Sequence, residues 1–438
     1  MRSELIVSST ILQRDPSAFF AFENARIARS AYNARYRTLS VRGSHIESIC
    51  MTGVANPRRE SSRDLTIDLS GYIVLPGLIN VHDHLDFSIF PRVGRGPYPS
   101  WREWGADIHR FERSRIEECL RVSREIRLWW GGIRNLLCGV TTVSHHNPYV
   151  DEVFGVDFPT HVPREYGWAH SLGEVHRVEE SFHQTPPHWP FVLHLAEGTD
   201  QASQREFDAL ERLLPLDSRT VMVHCVGLTP DQLSRAGRVG VGIVWCPSSN
   251  LFTLGKTLSR DQVTILPNLA LGSDSPLSGT GDLLDEIRFA HDQIGIRAPL
   301  VYELVTLKAA HLLRLNSGQG SLQPGSRADL FVTRDQQFTP ADTLVRLSWS
   351  NVDLVMKSGR IVLLSSALAD RIPGELKEGL QQICVDGVNR LVRAPLAELW
   401  PQTFNALGRA PTITGRTLSL EADESYLDSS PVFLSALY

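Results

Sequence analysis

Residues 72–84 read YIVLPGLINVHDH. The stretch opens as an apolar run, breaks at Pro76-Gly77, resumes as LINV, and ends in His82-Asp83-His84. On a strand, residues i and i+2 point to the same face. The spacing therefore aims the imidazoles of His82 and His84 at one point while Asp83 turns away. Further apolar, strand-like runs follow at GVTTVSHH (139–146), YGWAHSL (166–172), FVLHLAE (191–197), VMVHCV (221–226), VGIVWCP (241–247) and LALGSDS (269–275). Helical spacing predicts helices over 112–137, 202–214, 282–294 and 300–313. Repeated strand-then-helix units argue a parallel sheet, and at this length a (β/α)8-type barrel. Seven strands are legible. The eighth is expected either within 150–166 or as a degenerate unit, because 173–190 is too short to hold another full one.

The flanks have a different texture. Residues 1–75 carry short β-rich runs at LIVSSTIL (5–12), SHIESI (44–49) and LTIDL (65–69), and strands return at DLVMKSGRIVLL (353–364). The expected organisation is a small discontinuous β-sandwich domain built from both chain ends, 1–75 and 321–365. It flanks a barrel over 76–320, and a partly helical extension, with helix around 374–393, covers 366–438.

Composition narrows the function classes. The chain has 438 residues, 42% hydrophobic and 21% charged, with a net charge of −5. That is a globular composition with no electrostatic case for nucleic acid or an anionic membrane. Only four lysines stand against 40 arginines. The six cysteines are scattered and form no C-x-x-C, which favours a reducing compartment. The first residues make a poor signal peptide, and no run of about 18 apolar residues is present. A cytoplasmic monomer or homo-oligomer is expected, a homodimer among the options, with a small-molecule substrate.

The chemistry gathers at strand ends. His194 lies near the end of FVLHLAE and Glu197 follows where the strand runs into Gly198. His224 is near the end of VMVHCV, and Asp274 is near the end of LALGSDS. The C-terminal ends of barrel strands are where such folds place active sites. Four apolar runs finishing in His or Asp call for a shared partner for buried polar groups, and a divalent metal is the simplest. Imidazoles with one carboxylate suit zinc, with iron or manganese as alternatives.

These motifs, in this order, resemble the amidohydrolase superfamily, in particular its metal-dependent deaminase and chlorohydrolase-like branch with an H-x-x-E motif. The resemblance spans about 65–335. VLPGLINVHDH matches the first-strand motif and HLAE the H-x-x-E. VHCVGL, WCPSSN and LGSDSP match later strands, and GSLQPGSRADLFV matches the return to the small β domain. It implies His82, His84, His194 and Asp274 as metal ligands, with Asp274 also accepting a proton. It implies Glu197 as the proton-shuttling acid/base and His224 as the residue that orients water or substrate.

The implied reaction is hydrolysis of a C–N bond in a small cyclic substrate by metal-activated water. Deamination of a heteroaromatic amine is the first reading. Cleavage of an amide, urea or carbamate, or displacement of another leaving group, is the alternative, and a non-catalytic metal-binding scaffold is a remote third. Two-metal relatives commonly bridge their ions with a carboxylated Lys on a middle strand. Lys256, Lys308, Lys357 and Lys377 all lie elsewhere, so one metal per chain is expected. Candidate substrate contacts are Asp86, which shares the parity of His82 and His84, one of His145 and His146, His170, and the pair Trp101 and Trp104.

Overall fold

The computed structural model describes residues 19–51 and 65–420, so the strand expected at 5–12 lies outside the described residues. The first part of the chain forms β1 (Phe19–Ser30), β2 (Asn33–Arg42), β3 (His45–Met51), β4 (Leu65–Asp68) and β5 (Tyr72–Pro76). These join strands from the far end of the chain: β13 (Leu330–Arg334), β14 (Val352–Lys357), β15 (Arg360–Ser365), β16 (Gln381–Val385), β17 (Val388–Val392), β18 (Thr412–Ile413) and β19 (Arg416–Ser419). The result is one 12-stranded sheet in which β13 pairs antiparallel with both β5 and β14.

Between these ends lies the barrel. Its strands are β6 (Leu78–Asp83), β7 (Val140–His145), β8 (Gly167–Ala169), β9 (Phe191–Leu195), β10 (Thr220–His224), β11 (Gly242–Trp245) and β12 (Leu269–Leu271). They pair in parallel as β6-β7 and as β8 through β12. The Asp274 amide donates to the His82 carbonyl at 3.0 Å, which brings the segment after β12 against β6. The eighth position, between β7 and β8, is filled among the described residues by a single parallel bridge, Thr142 to His161. Pro159 and Pro163 flank His161 and cannot donate to a ladder, so the pairing cannot spread.

Helices cover the barrel: α1 (Trp101–Phe111), α2 (Arg113–Leu120), α3 (Arg124–Leu137), α4 (Val175–Gln184), α5 (Gln201–Leu213), α6 (Pro230–Val239), α7 (Pro247–Leu254), α8 (Arg260–Ile265), α9 (Leu283–Asp292), α10 (Ala298–Leu304) and α11 (Leu307–Leu312). The helix expected over 112–137 is two helices. Ser123 restarts the second by capping the Ile126 amide. Gly131 sits inside α3 because a Cβ there would strike the backbone of Leu85, immediately after His84. The helix expected over 300–313 also breaks. The break turns the Val305 carbonyl to accept the Ile79 amide of β6 at 2.9 Å. α11 then plugs the floor of the barrel. Its Ala309, Ala310 and Leu312 pack with Ile79, Val192, Val221, Val244 and Ala270.

The remaining helices are α12 (Pro340–Leu344), α13 (Ser366–Ala369), α14 (Gly374–Lys377) and α15 (Leu396–Leu407). Helix was expected around 374–393, but most of this stretch is the β16-β17 hairpin. Asp386 and Gly387 form its two-residue turn with φ of 43° and 79°, which is the signature of a primed hairpin turn. Among the described residues, no helix is long and apolar enough to cross a membrane.

Candidate metal and catalytic centre

The ends of β6, β9, β10 and β12 converge. His82, His84 and Asp274 each offer a ligand atom within 4.8 Å of the others, and so do His82, His194 and His224. Asp274 Oδ1 lies 3.5 Å from His82 Nε2 and 3.7 Å from His84 Nε2, and His82 Nε2 lies 3.3 Å from His194 Nε2. Two of these residues and two of their neighbours leave the strand in an unusual backbone conformation. φ is 52° at Ala196, 72° at His224, 56° at Cys225 and 55° at Asp274. Non-glycine residues in this region cost of order 1–3 kcal/mol each and persist only where the surroundings hold them.

What holds them is visible. The Ala196 amide donates to Glu206 Oε2 at 2.7 Å, and its carbonyl accepts from the Gly227 amide at 2.8 Å. The Glu197 carbonyl accepts from the Trp101 amide at 3.1 Å. These bonds fix the backbone on both sides of the Glu197 side chain. Its Oε2 stands 3.6 Å from His224 Nε2. Asp274 is set by Ser249 and Ser278, whose hydroxyls donate to Oδ2 at 2.6 and 3.2 Å and leave Oδ1 facing the imidazoles. His224 Nδ1 meets Asn250 Oδ1 at 2.8 Å. His194 Nδ1 meets the His170 carbonyl at 2.9 Å, which assigns the proton to Nδ1 and leaves the lone pair on Nε2. Asp83, turned away as its parity requires, is buried against Arg134, Asn135 and Asn80 and anchors the strand end from behind.

The electrostatics suit a cation. Burial lowers His82 to about 4 and drives His194 well below the usual histidine range, so both present neutral nitrogens. Burial alone would raise the Asp274 carboxyl, but the hydrogen bond with His82 and the surrounding imidazoles hold it well below the usual carboxylate range. Two imidazole Nε2 atoms at 3.3 Å, one assigned a lone pair, beside an ionised carboxylate form a donor set short of positive charge. A divalent metal fits these residues. Burial pushes Glu197 up to about 7, with His224 opposing and Asp274 reinforcing the shift. A carboxyl poised near neutrality can both take and give a proton.

The other candidates separate. His146 turns toward the cluster, with its ring 4.2 Å from His194 and its Nδ1 3.1 Å from Tyr166 Oη. His145 faces the other side, accepting the Leu85 amide at 3.2 Å beside Phe154. His170 is exposed, 5.2 Å from the His194 ring and 5.4 Å from Trp101. Asp86 follows the end of the strand, in the turn Leu85–Phe87, where alternation no longer applies. It is buried behind His84, bonded to Asn147 and paired with Arg124. Trp104 donates its indole N–H to the Val93 carbonyl at 3.1 Å, a packing role. None of the lysines reaches the cluster. Lys256 is exposed, and Lys308 and Lys377 donate to the carbonyls of Pro267 and Ala369. Lys357 holds the carbonyls of Val156 and Phe158. Ser249, Asn250, Ser278 and Glu206 were not foreseen. The first two lie in WCPSSN, whose serines and Asn directly after an apolar strand were the available signal.

Comparison with known proteins finds similar chains. The amidohydrolase family model matches residues 167–362. A 5-methylthioadenosine/S-adenosylhomocysteine deaminase of Moorella thermoacetica is 24% identical over 371 residues, covering 68% of this chain and 84% of that protein. A 5'-deoxyadenosine deaminase of Methanothermobacter thermautotrophicus is 23% identical over 397 residues, covering 74% and 89%. Among solved structures, atrazine chlorohydrolase of Arthrobacter aurescens with zinc superposes with a TM-score of 0.64 at 16% identity, covering 89% of this chain and all of that one. An adenosine deaminase of Xanthomonas campestris with bound zinc gives 0.58 at 17%, covering 79% and 93%. At these identities the structural likeness speaks for the fold: the (β/α)8-type barrel with a β domain from both chain ends.

Proposed function

We propose that the chain, matched by the amidohydrolase family model over residues 167–362, is a hydrolase of carbon–nitrogen bonds that deaminates a heteroaromatic amine of the purine-nucleoside class. The observation that carries the reading is Glu197, lifted to about 7 and placed 3.6 Å from His224 at the edge of the imidazole–carboxylate cluster. The relatives named as nucleoside deaminases point to the same substrate class.

In this reading His82, His84, His194 and Asp274 hold one divalent ion per chain, zinc in preference to iron or manganese. A bound metal supplies Lewis acidity that brings a water's pKa from 15.7 toward about 7. The residues do the rest. Glu197 takes a proton from the attacking water and delivers it to a ring nitrogen. His224, its Nδ1 side held by Asn250, turns Nε2 inward to orient the water, and Asp274 accepts the second proton on its way to the leaving amine. His146 lines the inner wall, and Trp101 with His170 flanks the entrance. A barrel over 76–320 carries this chemistry, with the sheet of β1–β5 and β13–β19 from the two chain ends beside it. A cytoplasmic monomer or homo-oligomer acting on a free small molecule completes the reading.

The deciding experiment incubates the purified protein with adenosine and its 5'-modified analogues, and with amino- and chloro-substituted triazines, while ammonia and product mass are followed together. Ammonia with an amino group replaced by oxygen on an intact purine supports the proposal. Ring opening, or release of chloride or an alkylamine without purine turnover, overturns it in favour of another leaving group.

A further inference from the structure

Glu286, on α9, is 1% exposed and takes no part in the chemistry proposed above. Burial pushes its carboxyl up to about 8. A buried carboxyl needs hydrogen-bond partners. Its partners lie on one residue of α7: the Ser248 amide donates to Oε1 at 2.8 Å, and the Ser248 hydroxyl donates to Oε2.

α7 begins without a cap of its own. Cys246 stands at the N-cap and makes no side-chain capping bond, and Pro247 has no amide hydrogen. The first turn of a helix leaves free N–H groups that require partners when buried. Glu286 supplies one from a neighbouring helix. The next two residues of the same turn reach the centre: Ser249 donates to Asp274, and Asn250 meets His224. Ser248 also accepts the Thr280 amide at 3.1 Å, and Thr280 follows the loop whose Ser278 holds Asp274. Glu286, Ser248, and the pair Ser249 and Asn250 thus form three tiers, with the two site residues set by the last.

We propose that Glu286 is a positioning residue: it clamps the first turn of α7 so that Ser249 and Asn250 hold Asp274 and His224 in register for metal binding and proton transfer. The proposal rests on the ligand and catalytic assignments above, so the Asp274→Asn variant is measured beside it. If that variant keeps its metal, the ligand reading fails whatever Glu286 does.

The test compares Glu286→Gln and Glu286→Leu. Zinc affinity is read by chelator competition, and kcat and KM are read per folded, metal-loaded protein. Outer partners of metal ligands typically contribute about 10–100-fold in affinity or activity, and Glu286→Leu is expected to lose that much zinc affinity and kcat with KM changed by less than about threefold. Glu286→Gln keeps an acceptor for the amide and gains a donor for the hydroxyl, so it should rescue both to within about threefold of the parent. A folded Leu variant with parental zinc affinity and kcat overturns the proposal. So does a Gln variant as impaired as Leu. If the Leu variant does not fold, Ser248→Ala takes its place, because it removes the hydroxyl tier and leaves the amide bond. Its zinc affinity should fall by about three- to tenfold, and an unchanged affinity overturns the clamp.

Discussion

The mouth and the floor of the barrel are built on opposite terms. At the floor, α11 closes the strands with Ala309, Ala310 and Leu312 against Val192, Val221 and Val244, an apolar packing. At the mouth, two to four residues or roughly 7–13 Å of strand later by the ~3.3 Å rise per residue, the same strands end in buried imidazoles and carboxyls. Ala196, His224, Cys225 and Asp274 there take positive φ. The floor stabilises the fold by apolar burial. The mouth holds strained backbone in place with side chains drawn from neighbouring helices, Glu206 from α5 and Ser249 and Asn250 from α7. Function sits where local preference is overruled, and that requires a scaffold stable enough to overrule it.

Substitutions at the two ends should therefore fail in different ways. The largest effect belongs to His194→Ala, which should lose bound metal and all measurable turnover while remaining folded. Elemental analysis checks it, and unchanged metal content would remove His194 from the ligand set. Glu197→Gln should keep metal and fold and lose about 10²–10⁴-fold in kcat, the usual worth of general acid–base catalysis. A loss of less than about tenfold in a steady-state assay would place the proton transfer elsewhere. Leu312→Ala tests the floor. It should cost about 2–5 kcal/mol in a urea melt, with kcat per folded molecule unchanged. A change in kcat there would mean that the two ends are coupled. The smallest effect is Ala196→Gly, which relieves the φ of 52° at that position. It should raise stability by up to about 1 kcal/mol while loosening Glu197 and lowering kcat. A destabilised variant would show that the Ala196 methyl, rather than the conformation, matters.

The same contrast explains what was legible in the sequence. His82, His84, His194, His224 and Asp274 could be read because period-two strands announce themselves and a polar residue at the end of an apolar run stands out. The seven full strands were legible for that reason too. His161 was not, since a one-residue bridge between two prolines leaves no period to detect. The β16-β17 hairpin was read as helix although Asp386-Gly387 between alternating runs was the stronger signal. Glu206 and Glu286 were invisible for another reason. Each reaches its partner in the folded chain across 10 and 38 residues of sequence, and nothing local distinguishes such a carboxyl from a solvated one on a helix surface. The parity argument at Asp86 lapsed because the strand had already given way to the turn Leu85–Phe87.

The interleaving of the outer sheet has a consequence for biosynthesis. β5 finds β1 early, but its other edge is completed only by β13, about 250 residues later, where Pro76 meets Leu330. At roughly 5–20 residues per second, that edge waits on the ribosome for about 10–50 seconds. Until β13 is made, one edge of Tyr72–Pro76, a strand buried along its whole length in the finished protein, lacks its native partner. The barrel can begin to assemble while its own foundation is still missing a strand. Yield of the native protein should therefore depend on how fast the last third of the chain arrives and on what shields that edge until it does.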